Sequence, residues 1–171
     1  YYFPGFNGGA HSATYRYIKS YYPDAQVIVY DFINFVKAKY QIESQLAGGL
    51  GRDTLFIGQS LGGYWAEYFA YKHDLDLILI NPCLEPLQTA LRFVVKDTVS
   101  NQLRNTTKGL DFYSRGKIKG KLQIILSDND QTVSPQAVYE KYGNDFPYVR
   151  VPGTHRFTGH RELLKVIETA F

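Results

Sequence analysis

The sequence predicts an α/β fold in which helices cover both faces of a mainly parallel sheet. Short runs of β-branched and other apolar residues alternate along the chain with longer stretches whose apolar residues recur at helical spacing. Two of these runs, residues 26–30 and 122–126, are apolar at nearly every position, which is typical of strands that are buried on both faces. Because alternating strands and helices are joined by right-handed crossovers, the strands are expected to be parallel.

The elements follow one another in a regular order. Strands are predicted at residues 1–3, 26–30, 54–58, 76–80, 121–127 and 148–151, which gives a sheet of about six strands. Helices are predicted at residues 12–22, 33–46, 61–73, 136–142 and 160–171. The sequence therefore accounts for most of the chain as one repeating pattern of strand and helix.

Residues 84–120 interrupt this pattern. They contain apolar residues partly at helical spacing but no predicted strand, and their end between Arg104 and Lys121 is basic. Long insertions inside a compact domain are usually functional. We expect residues 84–120 to form a helical lid whose basic end can meet anionic groups; a structural excursion with ordinary surface charge is the alternative.

Composition limits the class of protein. The 171 residues fit one domain, residues 1–171, and 44% hydrophobic residues can supply its core. The single cysteine excludes a disulfide-stapled scaffold and a zinc finger. No apolar run approaches the roughly 20 residues that cross a bilayer, and the first residues lack a signal-peptide pattern. We expect a cytoplasmic protein without a membrane span, and a net charge of +3 gives no reason to expect nucleic acid as a partner.

A glycine–serine turn follows the third predicted strand. Residues 58–62 read Gly-Gln-Ser-Leu-Gly, the nucleophile-elbow pattern, and they lie between a strand and a helix as that pattern requires. Gly58 and Gly62 leave room for close backbone contacts, and the helix N-terminus faces developing negative charge. Ser60 is therefore predicted to be a catalytic nucleophile; a helix cap in an ordinary glycine-rich turn is the alternative.

A serine nucleophile needs a general base, and the chain has four histidines. His155 follows the last predicted strand, where the base comes in the chain order of this motif. His160 begins the last predicted helix and is the alternative. His11 and His73 precede Ser60 or follow it too closely. The sequence thus predicts His155 as the base.

The base must be held by an acid, which is expected after the fifth predicted strand. Asp128 and Asp130 both follow this strand, and Asp130 lies nearer to the Ser134-Pro135 helix start. We favour Asp130 and keep Asp128 as the alternative; the other aspartate would hold the loop as an Asx turn.

Two backbone amides are needed to bind the oxyanion of an acyl-transfer reaction. One is expected from Leu61, which follows the nucleophile. The other is expected from Phe6 in the loop after the first strand, residues 4–9. A plain turn is the alternative for this loop.

Taken together, these motifs resemble the α/β-hydrolase superfamily and, within it, the small YqiA/YcfP-type esterase family. The matching segments span nearly the whole chain: Gly5-Phe6-Asn7, Gly58-Gln-Ser-Leu-Gly-Gly-Tyr-Trp-Ala-Glu67, Asn81-Pro82, Leu126-Ser-Asp-Asn-Asp130 and Thr154-His-Arg-Phe157. The resemblance implies Ser60 as nucleophile, His155 as base and Asp130 rather than Asp128 as acid. One departure is Pro4, which stands where the family usually has a histidine.

From the motifs and the resemblance we expect a serine hydrolase that acts on a small-molecule acyl ester or thioester and needs neither a metal nor an organic cofactor. The alternatives are a non-catalytic binding or scaffold protein on a hydrolase fold, and a serine amidase or peptidase. A complete set of nucleophile, base and acid favours the enzyme, because a binding protein has no need of all three.

Overall fold

The structure is a computed structural model that describes residues 1–87, 118–157 and 161–170, together with positions 89, 101 and 105. His160, the alternative base, lies outside the described residues. Most of the predicted lid at residues 84–120, with most of its basic end, lies outside them as well.

A five-stranded sheet organises the described part of the chain. Its strands are β1 (Tyr2–Phe3), β2 (Leu55–Gln59), β3 (Asp76–Ile80), β4 (Leu122–Ser127) and β5 (Val149–Val151), and they lie side by side in the order β1-β2-β3-β4-β5. All four neighbouring pairs are parallel. The predicted parallel sheet is therefore confirmed, and the carboxyl ends of all five strands meet at one edge.

Five helices with defined bounds accompany these strands within the described residues. They are α1 (Ala13–Tyr21), α2 (Phe35–Leu46), α3 (Leu61–His73), α4 (Gln136–Tyr142) and α5 (Arg161–Glu168). The Ser12 side chain caps α1 by accepting a hydrogen bond from the Tyr15 amide, and Asn34 caps α2 by accepting one from Lys37. The helix bounds differ from the sequence-based ones by a few residues at most.

Two apolar layers lie on opposite faces of the sheet, as the alternation of side chains along a strand requires. Phe3, Phe56 and Leu77 point into the layer that contains buried residues of α2, α3 and α4. Their strand neighbours Tyr2, Ile57 and Ile78 point into the layer that contains buried residues of α1 and α5. Helices therefore cover both faces, as predicted.

Residues 26–30, predicted as a strand, contribute only a single bridge between Val27 and Tyr2. The Tyr2 amide donates to the Gln26 carbonyl at 2.8 Å, and the Ile28 amide donates to the Tyr2 carbonyl at 2.9 Å. The segment therefore lies beside β1 without extending the ladder.

The outer side of this segment is hydrogen-bonded to glutamine side chains of α2. The Val29 amide donates to Gln45 Oε1 at 2.9 Å, and Gln45 Nε2 donates to the Val29 carbonyl at 2.6 Å. The Asp31 amide donates to Gln41 Oε1 at 2.7 Å. Helix side chains, rather than a further strand, thus satisfy the backbone groups on the outer side of the segment.

An ion pair between α3 and α4 fixes the helices that flank the site. Glu67 is fully buried, with its Oε1 3.0 Å from Lys141 Nζ, and the Tyr142 hydroxyl also donates to it. Burial raises the pKa of Glu67, although Lys141 and Tyr142 act in the opposite direction. The contact ties the helix that follows Ser60 to the helix that follows the Asp130 loop.

Candidate active site

Ser60 lies between β2 and α3 in a main-chain conformation that only a few residues of a protein adopt, with φ 53° and ψ −123°. Its neighbours hold it there. Its amide donates to the Ile80 carbonyl at 3.0 Å, and its carbonyl accepts from Gly63 at 2.8 Å and from Cys83 at 2.9 Å. Strain of this kind persists where the surrounding hydrogen bonds fix it, and it is common at catalytic positions.

The loop after β1 lies directly against this turn. A Cβ atom on Gly5 would come within 3.0 Å of Ser60 Cβ, and one on Gly62 would meet the carbonyl groups of Phe3 and Pro4. The absence of side chains at Gly5 and Gly62 therefore allows the β1 loop and the start of α3 to approach each other. This contact brings residues 4–9 to the nucleophile turn.

The predicted nucleophile, base and acid form one hydrogen-bonded chain. His155 Nε2 lies 2.9 Å from Ser60 Oγ, and His155 Nδ1 lies 2.7 Å from Asp130 Oδ2. The side chains of His155 and Asp130 are 14% and 8% exposed. The hydroxyl, imidazole and carboxylate are thus aligned in the order that activates a serine.

Asp130 is the carboxylate that contacts His155. Its Oδ1 also accepts the backbone amides of Thr132 at 2.8 Å and Val133 at 2.9 Å. Burial alone would raise the pKa of Asp130, but the hydrogen bonds from His155 and from these amides outweigh it, so the pKa lies below its usual value. Asp128, the alternative acid, is exposed. Asp130 is therefore ionised at neutral pH.

Asn81 holds the loop that carries the histidine, and the sequence analysis gave it no role. Its Nδ2 donates to the His155 carbonyl at 3.3 Å and to Ser127 Oγ at 3.0 Å, while its Oδ1 accepts the Ser127 amide at 2.8 Å. Asn81 is 2% exposed and has a φ of 43°. In the sequence, Asn81 is distinguished by its position directly after β3, the strand next to β2.

The rest of the histidine loop is fixed by short local contacts. The Phe157 amide donates to the Thr154 carbonyl at 3.0 Å, and the buried Phe157 ring anchors the turn in the core. The Asn129 amide donates to the Gly153 carbonyl at 3.1 Å. These bonds join the histidine loop to the loop that carries Asp130.

Leu61 and Phe6, the expected oxyanion residues, both lie near Ser60. Leu61 is the first residue of α3, where backbone amides lack partners within the helix. Phe6 lines the same cavity as Ser60. The Tyr30 hydroxyl donates to the Pro4 carbonyl at 2.5 Å and so fixes the start of the Phe6 loop. The structure thus brings both residues to the nucleophile, and their role as donors stays a prediction.

A family model described as an uncharacterised protein family, UPF0227, matches residues 2–171. This chain belongs to the UPF0227 family. Its relatives include a UPF0227 protein of Shewanella woodyi, 34% identical over 59% of this chain and 55% of the relative. A second, from Shewanella loihica, is 30% identical over 86% of this chain and 84% of the relative. A third, YcfP of Escherichia coli, is 25% identical. The matches to the first two relatives, from Shewanella woodyi and Shewanella sediminis, span just over half of each protein's length, 55% and 56%.

Solved structures share the fold of this UPF0227 chain. Est1E from Butyrivibrio proteoclasticus has a TM-score of 0.68 at 20% identity, covering 96% of this chain and 82% of its own. A YdeN-like hydrolase from Pectobacterium atrosepticum has a TM-score of 0.61 at 18% identity, covering 99% and 88%. At these identities the likeness concerns the fold alone. It confirms the predicted α/β-hydrolase fold, and the family match together with the YcfP relative confirms the YqiA/YcfP-type resemblance.

A cavity of about 500 Å³ opens at Ser60 and His155. Its lining includes Thr132, Arg156 and Phe6, and 53% of the surface of Phe6 is exposed. Across the described ranges, no group of three or more His, Cys, Asp or Glu side chains could hold a metal ion. None of the helices in the described ranges is both long enough and apolar enough to cross a membrane.

Proposed function

We propose that this UPF0227 chain is a serine hydrolase that cleaves small-molecule carboxylic esters or thioesters through an acyl-enzyme on Ser60. The observation that carries the proposal is the hydrogen-bonded chain from Ser60 Oγ through His155 to Asp130. A serine hydroxyl is a weak nucleophile, and an imidazole held by a carboxylate is the group that activates it.

In the proposed first half-reaction, Ser60 Oγ attacks the substrate carbonyl carbon while His155 Nε2 takes its proton. The Leu61 and Phe6 amides donate to the oxyanion that forms. His155 then returns the proton to the leaving alcohol or thiol, and the acyl group stays on Ser60. Asp130 accepts the His155 Nδ1 proton in a hydrogen bond, which fixes the tautomer and stabilises the imidazolium.

In the second half-reaction a water molecule replaces the alcohol. His155 takes its proton as the water attacks the acyl carbonyl. Collapse of the second oxyanion breaks the bond to Ser60 Oγ, His155 returns the proton to Oγ, and the carboxylic acid is released. Both half-reactions use the same two amides and the same base. No group beyond those of the described site is required.

Two solved structures with this fold support an ester or thioester as the substrate. One is Est1E with ferulic acid bound, at a TM-score of 0.69 and 19% identity. The other is the Vlm2 thioesterase domain, at a TM-score of 0.51 and 15% identity. The first holds a carboxylic acid, and the second is a thioesterase domain. We also propose that residues 1–171 form one hydrolase domain with residues 84–120 as its lid.

A fluorophosphonate probe, which reacts with activated serines, tests the proposal. We expect covalent labelling of the wild-type chain and none in Ser60→Ala. Ser20→Ala is the matched control, because Ser20 is an exposed serine of α1 whose hydroxyl donates to the Tyr17 carbonyl. The proposal is wrong if Ser60→Ala is still labelled, and a wild-type chain that resists the probe and hydrolyses no ester would indicate the binding protein instead.

A further inference from the structure

One part of the wall of the cavity next to Ser60 is polar. Besides the proposed catalytic residues it is lined by Tyr2, Ser12, Thr14 and Gln59. Gln59 directly precedes Ser60, and both residues line the same cavity. An acyl group that extends along this part of the wall meets a carboxamide and hydroxyl groups.

The carboxamide of Gln59 is held in one orientation. The Tyr2 hydroxyl donates to Gln59 Oε1 at 2.7 Å, and both residues are nearly buried, with 1% and 9% of their surface exposed. Burial raises the pKa of Tyr2 to about 12, while hydrogen bonds with Ser12 and Thr14 act against the rise. Tyr2 is therefore a permanent donor at neutral pH, and Gln59 Oε1 is its acceptor.

This arrangement leaves the nitrogen of Gln59 available. Within the described residues, Trp65 Nε1 is the one buried side-chain nitrogen or oxygen without a hydrogen-bond partner. Gln59 Nε2 bonds to none of these residues, so it must be accessible to solvent, and Gln59 lines the cavity. The cavity wall beside the nucleophile thus presents a fixed N–H donor.

We propose that Gln59 is a specificity-determining residue that donates a hydrogen bond from Nε2 to an oxygen in the acyl group of the substrate. The preferred substrates are short esters or thioesters whose acyl chain carries a hydroxyl or ether oxygen. This inference rests on the proposed function. A plain hydrocarbon chain in the same place strips water from Nε2 and returns no hydrogen bond, which lowers kcat/KM.

The test compares two esters that differ by one atom. In p-nitrophenyl methoxyacetate an ether oxygen replaces one methylene of p-nitrophenyl butyrate, so chain length and leaving group are the same. Because the methoxyacetate is intrinsically more reactive, the measured quantity is its kcat/KM relative to butyrate, compared between wild type and Gln59→Leu. We expect this ratio to fall about tenfold in Gln59→Leu, since the substitution removes the donor.

Tyr2→Phe provides a second variant, which keeps the ring and removes the hydroxyl that orients Gln59. The ratio is expected to fall here as well, by a smaller factor. Tyr15→Phe is the matched control, because its ring stacks on Tyr2 at 5.8 Å while its hydroxyl donates to the Ala25 carbonyl. Its ratio should equal that of wild type.

The outcomes separate this inference from the proposed function. A wild-type chain that is labelled by the fluorophosphonate and hydrolyses both esters, with a ratio that Gln59→Leu leaves unchanged, overturns the role of Gln59 alone. A wild-type chain that is neither labelled nor active overturns both. If circular dichroism shows that Gln59→Leu does not fold, Tyr2→Phe decides, and a ratio equal to that of Tyr15→Phe overturns the inference.

Discussion

At the scale of single residues, Asn81 connects the histidine loop to the end of β4. We expect Asn81→Asp to lower kcat about 10- to 100-fold with little change in KM, since a shift of roughly 1 Å in a catalytic group has effects of this size. The carboxylate can still accept the Ser127 amide, but it replaces the donor to the His155 carbonyl with an acceptor. Steady-state kinetics on p-nitrophenyl butyrate measures both constants.

Asn34→Asp is the control for this prediction. It makes the same chemical change at the start of α2, where the side chain accepts the Lys37 amide at 3.0 Å and an aspartate caps equally well. Its kcat should equal that of wild type. A kcat for Asn81→Asp that matches Asn34→Asp would show that the bond to the His155 carbonyl does not position the base.

Asp130 and Asp128 allow a second matched comparison. We predict that Asp130→Asn lowers kcat by about 10⁴, because an amide in this place favours the wrong histidine tautomer while keeping the geometry. Asp128→Asn removes one exposed charge from the same loop, and we expect it to change kcat far less. Equal losses in the two variants would mean that the loop as a whole, rather than the Asp130 carboxylate, supports the reaction.

The sequence indicated Ser60, His155 and Asp130, because each lies at a strand end in an order that the nucleophile-elbow motif specifies. It gave no role to Asn81 or Gln59. Asn81 bonds to Ser127, 46 residues away, and to His155, 74 residues away, and Gln59 bonds to Tyr2, 57 residues away. Contacts of this kind exist only after the strands are paired, so the position of Asn81 after a strand and its place in the family motif do not show which residues it contacts.

At the scale of elements, the distance between α3 and β1 depends on Gly62. Gly62→Ala would place a methyl group against the Phe3 carbonyl, a backbone atom that cannot rotate away. An alanine normally stabilises a helix interior relative to glycine, but here we expect the free energy of unfolding to fall by about 1–3 kcal/mol, as overpacking does. Urea unfolding of the purified variants measures the change.

Gly48→Ala serves as the comparison. No atom lies within 4 Å of a Cβ at Gly48, and its backbone is not in the left-handed region. The substitution should leave stability unchanged or raise it by less than about 1 kcal/mol. If Gly62→Ala is as stable as Gly48→Ala, then α3 and β1 have room that the structure does not indicate.

Residues 26–30 show why the sequence predicted one more strand than the sheet contains. Their apolar run is that of a buried strand, and Ile28 and Tyr30 are indeed buried. The strand beside them, β1, is only two residues long, so they meet it at one bridge, and Gln41 and Gln45 of α2 bond to their outer backbone groups. Burial on both faces was therefore wrong for this segment, since Val29 is 67% exposed, and hydropathy carries no information on which groups satisfy the main chain.

At the scale of the whole molecule, Asp130 makes stability depend on pH. Its native pKa lies below the usual 3.8, so its ionised form stabilises the native state fully at pH values above the unfolded pKa. That contribution is lost as the pH falls through the native pKa. We predict that the difference in free energy of unfolding between wild type and Asp130→Asn shrinks as the pH falls from about 5 toward 3, where the Asp130 carboxylate takes up its proton.

Urea titrations of both proteins across this range provide the measurement. Asp128→Asn is again the control, and its difference from wild type should not show this dependence. The prediction is contradicted if the difference in free energy of unfolding between wild type and Asp130→Asn stays constant, or widens, as the pH falls to 3.

Gln41 and Gln45 of α2 affect whether two copies of this protein can pair along this edge of the sheet in concentrated solution. An incoming strand would have to bond to the outward backbone groups at positions 27, 29 and 31. Both groups of Val29 and the amide of Asp31 are already occupied by Gln45 and Gln41. A second copy therefore finds no continuous row of free donors and acceptors here, and this margin of the sheet is protected against recruitment into an intermolecular sheet.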